Sequence, residues 1–366
     1  MPVPFVDLHA QYATIKTEID GAIAEVIRQS AFIRGPFVER FEEQYAELMG
    51  AKHCVSCSDG TAALYVAMHA LGIRAGDEVI TTAHSWISTS ETISQHGATP
   101  VFVDIDPETF TIDPALIEAK ITERTVGIIP VHLFGQAAEM GAIMRIAEKH
   151  GLWVIEDCAQ AHLATFDGRQ VGSFGQAATW SFYPGKNLGA MGDAGAITTN
   201  DPDLARRMAR FARHGGIQKH DHEIEGINSR LDGLQAAILS VKMPHLAQWT
   251  EARRGHAARY DALLGNLVSV PKVGAGREHV YHLYVIEHDD RDGLMRFLGD
   301  RGIGTVVNYP RALPFLPAYA RFGATPEDFP VAHSKQSRIL SLPMFAELTG
   351  EQIEEVADAV RAFRTR

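Results

Sequence analysis

One lysine stands inside a run of the sequence that is rich in aromatic residues and glycine. The run Trp180–Gly195 contains Lys186, with glycines at positions 185, 189, 192 and 195. Glycine lets the backbone turn sharply and approach a ligand closely, and a partly desolvated lysine amine forms Schiff bases with carbonyl compounds. On this stretch alone a solvated lysine in a glycine-rich loop is the simpler interpretation, because most lysines lie on protein surfaces. A reactive role for Lys186 therefore depends on residues elsewhere in the chain.

Chemically suggestive side chains follow the predicted strands wherever strands and helices alternate. The strand at residues 53–57 leads into the turn Ser58-Asp59-Gly60-Thr61 and then a helix, whose free N–H groups attract anions. Ordinary N-capping explains the polar residues of this turn equally well. Apolar strands alternating with helices predict a mainly parallel sheet, with ligands beyond the carboxyl ends of its strands. The residues at these ends are Gly60, Thr61, Trp86, Asp157, Gln160, Ser181 and Lys186.

Together these residues supply what a pyridoxal phosphate site requires. A lysine amine holds the aldehyde, and a buried carboxylate such as Asp157 pairs with the protonated ring nitrogen. Trp86 offers a flat face for stacking on the ring, and Gly60, Thr61 and Ser181 offer donors to the phosphate. Each residue also has an ordinary structural role as its alternative, but their joint occurrence in one α/β layout favours the cofactor site.

The chain resembles the DegT/DnrJ/EryC1/StrS family of sugar aminotransferases from about residue 5 to the C-terminal helix. The most diagnostic matching stretches are Ser181–Gly189 and the segment Asn-Ser-Arg-Leu-Asp at 228–232. Further matches are Ser58–Thr61 followed by Ala63 and Leu64, then Gly76–Ile80, Val131–Gln136 and Glu156–His162. The sequence departs from the family at Leu163, where glycine is common. It departs again at Asn308–Pro314, where many members have a His-Tyr-Pro version in a stretch expected to bear on sugar recognition.

The resemblance implies the fold and a role for each matching residue. The fold is α/β, that of the PLP-dependent transferases of the aspartate aminotransferase type (fold type I). Lys186 holds the cofactor and transfers the proton, Asp157 pairs with the pyridine nitrogen, and Gln160 reaches the ring hydroxyl. Trp86 stacks on the ring. Gly60, Thr61 and Ser181 bind the phosphate together with Asn228 contributed across the interface of a homodimer.

Three further residues are candidate substrate contacts: His162, Tyr183 and Arg230. For Arg230 the expected partner is a carboxylate or a diphosphate, because arginine forms bidentate pairs with both. An inter-subunit salt bridge is the alternative for Arg230. A buried histidine with satisfied hydrogen bonds is the alternative for His162.

The function implied by the resemblance is transfer of an amino group from L-glutamate to a keto group of a nucleotide-linked sugar, for amino-sugar biosynthesis. The sequence around Lys186 and Arg230 is most similar to that of family members that aminate C-3. C-4 amination, cyclitol amination and a sugar dehydratase remain alternatives, as does a non-enzymatic sensor with this fold. Dehydratase relatives commonly replace the lysine by histidine, so Lys186 favours transamination. The nucleotide, whether dTDP, UDP or GDP, stays open.

Composition and charge exclude other classes of function. The 366 residues carry a net charge of −11 without a long basic run, so we expect no binding to nucleic acid or anionic membranes. No apolar run approaches the ~20 residues of a membrane span, and the N-terminus lacks the pattern of a signal peptide. Three cysteines form an odd and sparse set, which indicates a reducing compartment and a cytoplasmic protein.

Two groups of possible metal ligands have simpler interpretations, so we predict no metal. Cys54 and Cys57 have CxxC spacing, but no second ligand pair accompanies them and the segment suits a strand. His214, His220 and His222 lie in a charged stretch, residues 206–226, which we predict to be irregular. No carboxylate or cysteine spacing there matches a known metal site.

Pro244 marks the predicted boundary between two domains. Residues 1–245 are expected to form a large cofactor-binding domain, and residues 246–366 a smaller α+β domain. Residues 305–309 of the smaller domain are predicted to form a strand.

Overall fold

The computed structural model describes residues 2–218 and 220–364. The strands are β1 His53–Cys57, β2 Glu78–Thr82, β3 Thr99–Val103, β4 Thr125–Ile129, β5 Trp153–Asp157, β6 Thr165–Phe166, β7 Arg169–Gln170, β8 Ala177–Ser181, β9 Gly195–Thr199, β10 Arg277–Glu278, β11 Tyr284–Glu287 and β12 Ile339–Leu342. The α-helices are α1 Leu8–Thr14, α2 Lys16–Gln29, α3 Pro36–Leu48, α4 Gly60–Ala70, α5 Ser88–Gln95, α6 Met140–His150, α7 Pro202–Ala212, α8 Gly233–Lys242, α9 Leu246–Leu264, α10 Arg291–Gly299, α11 Pro330–Gln336 and α12 Gly350–Arg364.

A seven-stranded sheet in the order β1-β9-β8-β5-β4-β2-β3 lies at the centre. The pairs from β8 to β3 are parallel, and only β9 runs against its neighbours β1 and β8. The predicted α/β fold with a mainly parallel sheet is therefore confirmed. Because β1, β2, β5 and β8 point the same way, the residues that follow them meet at one edge of the sheet.

Consecutive strand residues point to opposite faces of this sheet, and both faces are covered by helices. Ile128 joins a core that includes residues of α3, α6 and α8. Its neighbour Ile129 joins a second core, with residues of α4 and α7. Full burial of each such side chain contributes about 1.5–3 kcal/mol to folding, which is why the strands read as nearly continuous apolar runs.

A second, smaller sheet pairs β11 with β12 in antiparallel orientation. Its core includes residues of α9, α10 and α12, and also Val3, whose backbone bridges to Ile303. The N-terminal residues therefore pack on the C-terminal part of the chain. The division at residue 245 stays a prediction; α9 begins directly after it at Leu246.

Two predicted segments differ from the structure. The stretch predicted as irregular begins with helix, because α7 continues to Ala212. Asp201 caps α7 by accepting from the N–H groups of Asp203 (2.8 Å) and Leu204 (3.1 Å). The strand predicted at 305–309 is reduced to an isolated bridge between Val306 and Ser341. Among the described residues, no helix combines the length and the apolar composition that crossing a membrane requires.

Glu156, fully buried in β5, anchors the loop that follows β7. One carboxylate oxygen accepts from the Phe174 and Gly175 N–H groups at 2.7 and 2.8 Å. The other accepts from the Gly172 N–H at 2.8 Å and from His132 Nε2 at 3.0 Å. A buried carboxylate is tolerated when several donors satisfy it, so this cluster joins the C-terminal half of β5 to its surroundings.

Replacing Glu156 with glutamine tests this anchor. The amide would present a donor to main-chain N–H groups and leave buried donors unpaired, at about 1–3 kcal/mol each. We expect Glu156→Gln to lower the free energy of unfolding in urea by at least ~3 kcal/mol. Glu43→Gln, at an exposed position of α3, is the control and should change it by less than ~0.5 kcal/mol. Equal stability of the Glu156→Gln and wild-type proteins would contradict the anchoring role.

Candidate active site

The N-terminus of α4 lies against the end of β8. A Cβ atom placed on Gly60 would lie 2.7 Å from Ser181 Cβ, so only glycine permits this approach. Asp59 caps the helix by accepting from the Ala62 N–H at 2.8 Å. The first N–H groups of a helix have no partner within it, so Gly60 and Thr61 offer donors next to the Ser181 hydroxyl. This is the donor set that an anionic group such as phosphate requires.

Lys186 and Asp157 lie close enough at the same edge of the sheet for the charge of each to affect the pKa of the other. Lys186 as a residue is partly exposed, whereas its amine has the surroundings of a buried group. This burial lowers the pKa of Lys186 to about 8, and the charge of Asp157 opposes the shift. Burial likewise raises the pKa of Asp157, while hydrogen bonds and the charge of Lys186 counteract it. The pair therefore combines a lysine that can lose its proton near neutral pH with a buried carboxylate.

Asp157 is held by a residue that the sequence analysis did not identify. Thr89 Oγ1 donates to Asp157 Oδ2 at 2.8 Å, and the Ala159 N–H donates to Oδ1 at 3.2 Å. Thr89 belongs to α5, which follows the loop of Trp86. The carboxylate is 5% exposed, and two donors fix its orientation toward the site.

Tyr309 also lies in the site, although the sequence analysis did not select it. Gln160 Nε2 donates to the Tyr309 hydroxyl at 2.9 Å, and Gln160 Oε1 accepts from the Phe134 N–H at 2.7 Å. The ring of Tyr309 lies 5.6 Å from that of Trp86, at an interplanar angle of 44°. Trp86 is 57% exposed, so part of its ring surface is open to a ligand. The available signal was the departure from the family pattern at Asn308–Pro314.

His162 lies behind Ser181 and is fully buried. Its Nε2 is 3.1 Å from the Ser181 carbonyl oxygen, and its Nδ1 is 2.8 Å from the Tyr45 hydroxyl. Because the carbonyl only accepts, Nε2 carries the proton, an assignment made from the hydrogen-bond partners. Burial lowers the pKa of His162 to about 4. These contacts make His162 a support for Ser181, and its role as a substrate contact stays a prediction.

The remaining candidates lie farther out. Tyr183 is 60% exposed, and Asn228 is exposed on this single chain. Arg230 is half-buried and close enough to Arg34 for its charge to contribute to lowering the pKa of Arg34, for which burial is the main cause. The site as described therefore contains Gly60, Thr61, Trp86, Asp157, Gln160, Ser181 and Lys186, with Asn228 and Arg230 on an exposed side.

Leu163, where relatives were expected to have glycine, has a φ of 67°. This left-handed conformation costs a residue with a Cβ about 1 kcal/mol or more. A glycine would avoid this cost, which gives a backbone reason for the expected preference for glycine at this position.

A buried cluster behind β5 has the residue types of a metal site: His132, Glu156 and Cys158. The ligand atoms of His132 and Glu156 already have protein partners, because His132 Nδ1 accepts from the Ala138 N–H at 3.0 Å and Glu156 accepts from main-chain donors. Hydrogen bonding to the main chain accounts for this cluster.

Residues 13–361 match the DegT/DnrJ/EryC1/StrS aminotransferase family. The chain therefore belongs to this family, which confirms the resemblance drawn from its motifs.

Three relatives are similar over almost the whole chain. A pleiotropic regulatory protein of Geobacillus stearothermophilus is 50% identical, over 99% of this chain and 99% of its own. The dTDP-3-amino-3,4,6-trideoxy-alpha-D-glucose transaminase of Streptomyces venezuelae is 41% identical, over 100% and 97%. The UDP-N-acetyl-3-dehydro-alpha-D-glucosamine 3-aminotransferase of Acidithiobacillus ferrooxidans is 43% identical, over 98% and 97%.

Two solved structures have the same fold. DesV of S. venezuelae, in complex with a ketimine intermediate, superposes with a TM-score of 0.97 at 41% identity, covering 100% of this chain and 99% of its own. NtdA of Bacillus subtilis with bound cofactor PMP gives 0.91 at 32% identity, covering 100% and 86%. The protein is a pyridoxal-phosphate-dependent aminotransferase.

The residues of this chain fit that cofactor. A phosphate has donors at the start of α4, where glycine alone permits contact with Ser181. A protonated ring nitrogen has the buried carboxylate of Asp157, and an aldehyde has the amine of Lys186 with its lowered pKa.

Exchange of Asp157 for asparagine should lower the pKa of Lys186 further below 8, because the carboxylate is the charge that opposes the effect of burial. The pH dependence of Lys186 acylation in the cofactor-free protein, followed by mass spectrometry, measures this pKa. Lys242 is an internal control in the same digest, since its pKa is also lowered to about 8 by burial but is opposed by Glu347. An unchanged or raised midpoint for Lys186 would show that Asp157 does not face the amine.

Proposed function

We propose that the protein transfers an amino group from L-glutamate to the C-3 keto group of a nucleotide-linked sugar. The observation that carries this function is the electrostatic interaction of the buried Asp157 carboxylate with the Lys186 amine, at the edge of the sheet that also holds a donor set for phosphate. The names of the S. venezuelae and A. ferrooxidans relatives support C-3 as the position. Those names differ in the nucleotide, so we propose the substrate class without specifying dTDP, UDP or GDP.

Lys186 would act as the proton carrier. Bound at this edge of the sheet, pyridoxal phosphate supplies an electron sink for the carbon that loses a proton. With a pKa of about 8, the Lys186 amine is partly uncharged near neutral pH. It can accept the proton from the Cα of the amino donor and return a proton to the aminated carbon of the sugar. Such positioned transfer contributes ~10²–10⁴-fold to the rate.

Asp157 and Gln160 would orient the cofactor ring. Asp157, whose orientation is set by Thr89, would pair with a cationic ring nitrogen. Gln160 is held between the Phe134 N–H and the Tyr309 hydroxyl, so its amide has a fixed orientation from which it would contact the ring hydroxyl side of the cofactor. Trp86 would cover one face. Arg230 is our candidate for a substrate carboxylate or diphosphate, because arginine pairs with both.

A regulatory role is the alternative from another class, since the Geobacillus relative is named a pleiotropic regulatory protein. A protein that had kept the fold without the chemistry would be free to lose the lysine or the aspartate. Both are present here and interact electrostatically. We therefore propose catalysis, and the retained lysine also argues against dehydration.

The active site is proposed to be completed in a homodimer. Asn228 is exposed on this chain, and apolar residues lie exposed nearby: Phe32 44%, Ile33 54% and Met191 41%. The backbone connects Phe32 and Ile33 to the segment that follows Asn228, through the bridge from Ile33 to Asp232 and the bond from the Gly233 N–H to the Phe32 carbonyl (2.7 Å). Exposed apolar residues clustered beside polar ones are typical of protein interfaces. Free thiols at Cys54, Cys57 and Cys158 support a cytoplasmic location.

Substrate choice can be read from the cofactor spectrum. The pyridoxamine form of the protein is incubated with a panel of 3-keto and 4-keto nucleotide sugars, and the return of visible absorbance is followed. We expect return with a 3-keto sugar at least ~10-fold faster than with its 4-keto isomer. Lys186→Ala should show neither the band of the resting protein nor turnover. A faster return with 4-keto sugars would replace C-3 by C-4, and no return with any sugar would contradict the proposed substrate class.

Mixing two inactive variants tests the shared site. Lys186→Ala removes the amine, and Asn228→Ala removes the contact proposed to come from the second subunit. If Asn228 acts across the interface, a mixed dimer retains one intact site, and random mixing restores about a quarter of wild-type activity. If Asn228 acts within its own chain, mixing restores nothing beyond the residual activity of the Asn228→Ala protein. Size-exclusion chromatography of the mixture confirms that dimers form.

A further inference from the structure

The turn that carries Lys186 lies outside helix and sheet. The Lys186 N–H donates to the Tyr183 carbonyl at 2.8 Å. A Cβ on Gly189 would lie 2.2 Å from the Pro184 oxygen, so the two ends of the turn are in backbone contact. No sheet ladder or helix sets where the lysine side chain starts. Side-chain contacts from other parts of the chain must therefore hold the turn in place.

Asn187, the next residue, provides such a contact. It is 3% exposed, and its Nδ2 donates to the Val280 carbonyl at 3.0 Å. Its Oδ1 lies 3.3 Å from His282 Nδ1. Because Nδ2 faces a carbonyl, the amide orientation is determined, and His282 must carry its proton on Nδ1. Burial lowers the pKa of His282 well below its usual range, so the ring is neutral and this tautomer persists at physiological pH.

Residues 280–283, which we name the brace segment, are themselves held firmly by their main chain. The Val280 N–H donates to the Gly135 carbonyl at 2.9 Å, and the Leu283 N–H donates to the Phe134 carbonyl at 3.2 Å. Gly135 has a φ of +105°, and a Cβ there would lie 2.9 Å from the His282 nitrogen. The brace segment is thus fixed against residues 134 and 135 by backbone contact.

A buried arginine fixes the brace segment from the other side. Arg253 of α9 is 4% exposed, and its Nη1 donates to the carbonyls of Tyr281 at 3.1 Å and Met344 at 2.9 Å. Charged donors form stronger hydrogen bonds than neutral ones. The position of His282 therefore follows from the packing of the C-terminal part of the chain.

The brace segment contacts both sides of the active site. It meets the lysine turn through Asn187, and it meets Phe134, whose N–H group orients Gln160. We propose that His282, acting through Asn187, is a positioning residue that sets where the Lys186 amine lies relative to Asp157. This proposal rests on the proposed function in one respect, that Lys186 is the reacting group. Because it concerns only the position of the lysine, it holds for any acceptor sugar.

Three substitutions at position 282 separate positioning from proton transfer. Asparagine places an amide nitrogen near the position of Nδ1, so His282→Asn keeps the donor to Asn187. Glutamine places its nitrogen near the position of Nε2, so His282→Gln loses that donor, as does His282→Ala. The pKa of Lys186 is measured in the cofactor-free proteins from the pH dependence of its acylation. Turnover with saturating L-glutamate is measured on the cofactor-loaded proteins.

We expect His282→Ala and His282→Gln to raise the pKa of Lys186 by about one unit, because the released turn admits water to the amine. Turnover should fall at least ~10-fold, with the KM for L-glutamate changed less than ~2-fold. His282→Asn should restore both quantities most of the way to wild type. Asn187→Ala should be at least as severe as His282→Ala, because it also removes the bond to the Val280 carbonyl. The double variant should be no worse than Asn187→Ala, because that substitution already removes the contact with His282.

His256→Ala is the matched control. His256 is a half-buried histidine of α9 that forms a hydrogen bond with the Ala346 carbonyl at 3.0 Å. Its substitution should leave the titration of Lys186 unchanged. Rescue by glutamine instead of asparagine would overturn the proposal in favour of proton transfer at Nε2. Additive effects of Asn187→Ala and His282→Ala, or a wild-type titration in His282→Ala, would also overturn it. If the proposed sugar substrate were wrong, the acylation experiment would still report the pKa of Lys186. The positioning role of His282 and the proposed substrate can therefore be contradicted independently.

Discussion

The site depends on two opposite charges that burial disfavours, the Lys186 ammonium and the Asp157 carboxylate. Burial lowers the pKa of the lysine and raises that of the aspartate, and each charge partly offsets the effect on the other. A lysine in bulk water would stay protonated near neutral pH, and one buried without a carboxylate would lose its charge entirely. The compromise keeps an amine that can both accept and release a proton. The rest of the structure holds the Lys186 amine and the Asp157 carboxylate in fixed positions relative to each other.

Separate parts of the fold determine the positions of Asp157 and Lys186. The position of Asp157 is set by β5 and by the Thr89 hydroxyl. The residue before it in β5, Glu156, is anchored by main-chain donors. Lys186 lies in a turn without regular structure, which is held through Asn187 by the brace segment. Ser181 is supported from behind by His162. Buried polar contacts of this kind are satisfied on both sides, which makes the arrangement specific as well as stable.

The parallel sheet and the residues at its strand ends could be predicted from local pattern. Each strand was marked by its own apolar run, and a parallel order places the following residues at one edge whatever their neighbours are. No comparable sequence pattern indicates the contacts between distant parts of the chain. Tyr309, Thr89 and His282 are ordinary in sequence and gain their roles only through partners far along the chain, such as Gln160 and Asn187.

The two mispredicted segments have local physical causes. In α7 many charged residues obscured the helical spacing of Leu204, Met208 and Ala212, which are buried. In the predicted strand at 305–309, Pro310 follows directly, has no N–H to donate and restricts the residue before it. Lys242 illustrates a different limit. Its pKa also falls to about 8, yet its amine donates to the Gly189 carbonyl at 2.8 Å and interacts with Glu347, away from Asp157.

Identification of the lysine that binds the cofactor tests the account most directly. The protein is loaded with pyridoxal phosphate, the covalent bond is reduced with borohydride, and the digested protein is sequenced by mass spectrometry. We expect the pyridoxyl label to lie on Lys186. A label on Lys242, another lysine whose pKa burial lowers to about 8, or on no lysine at all, would contradict this expectation.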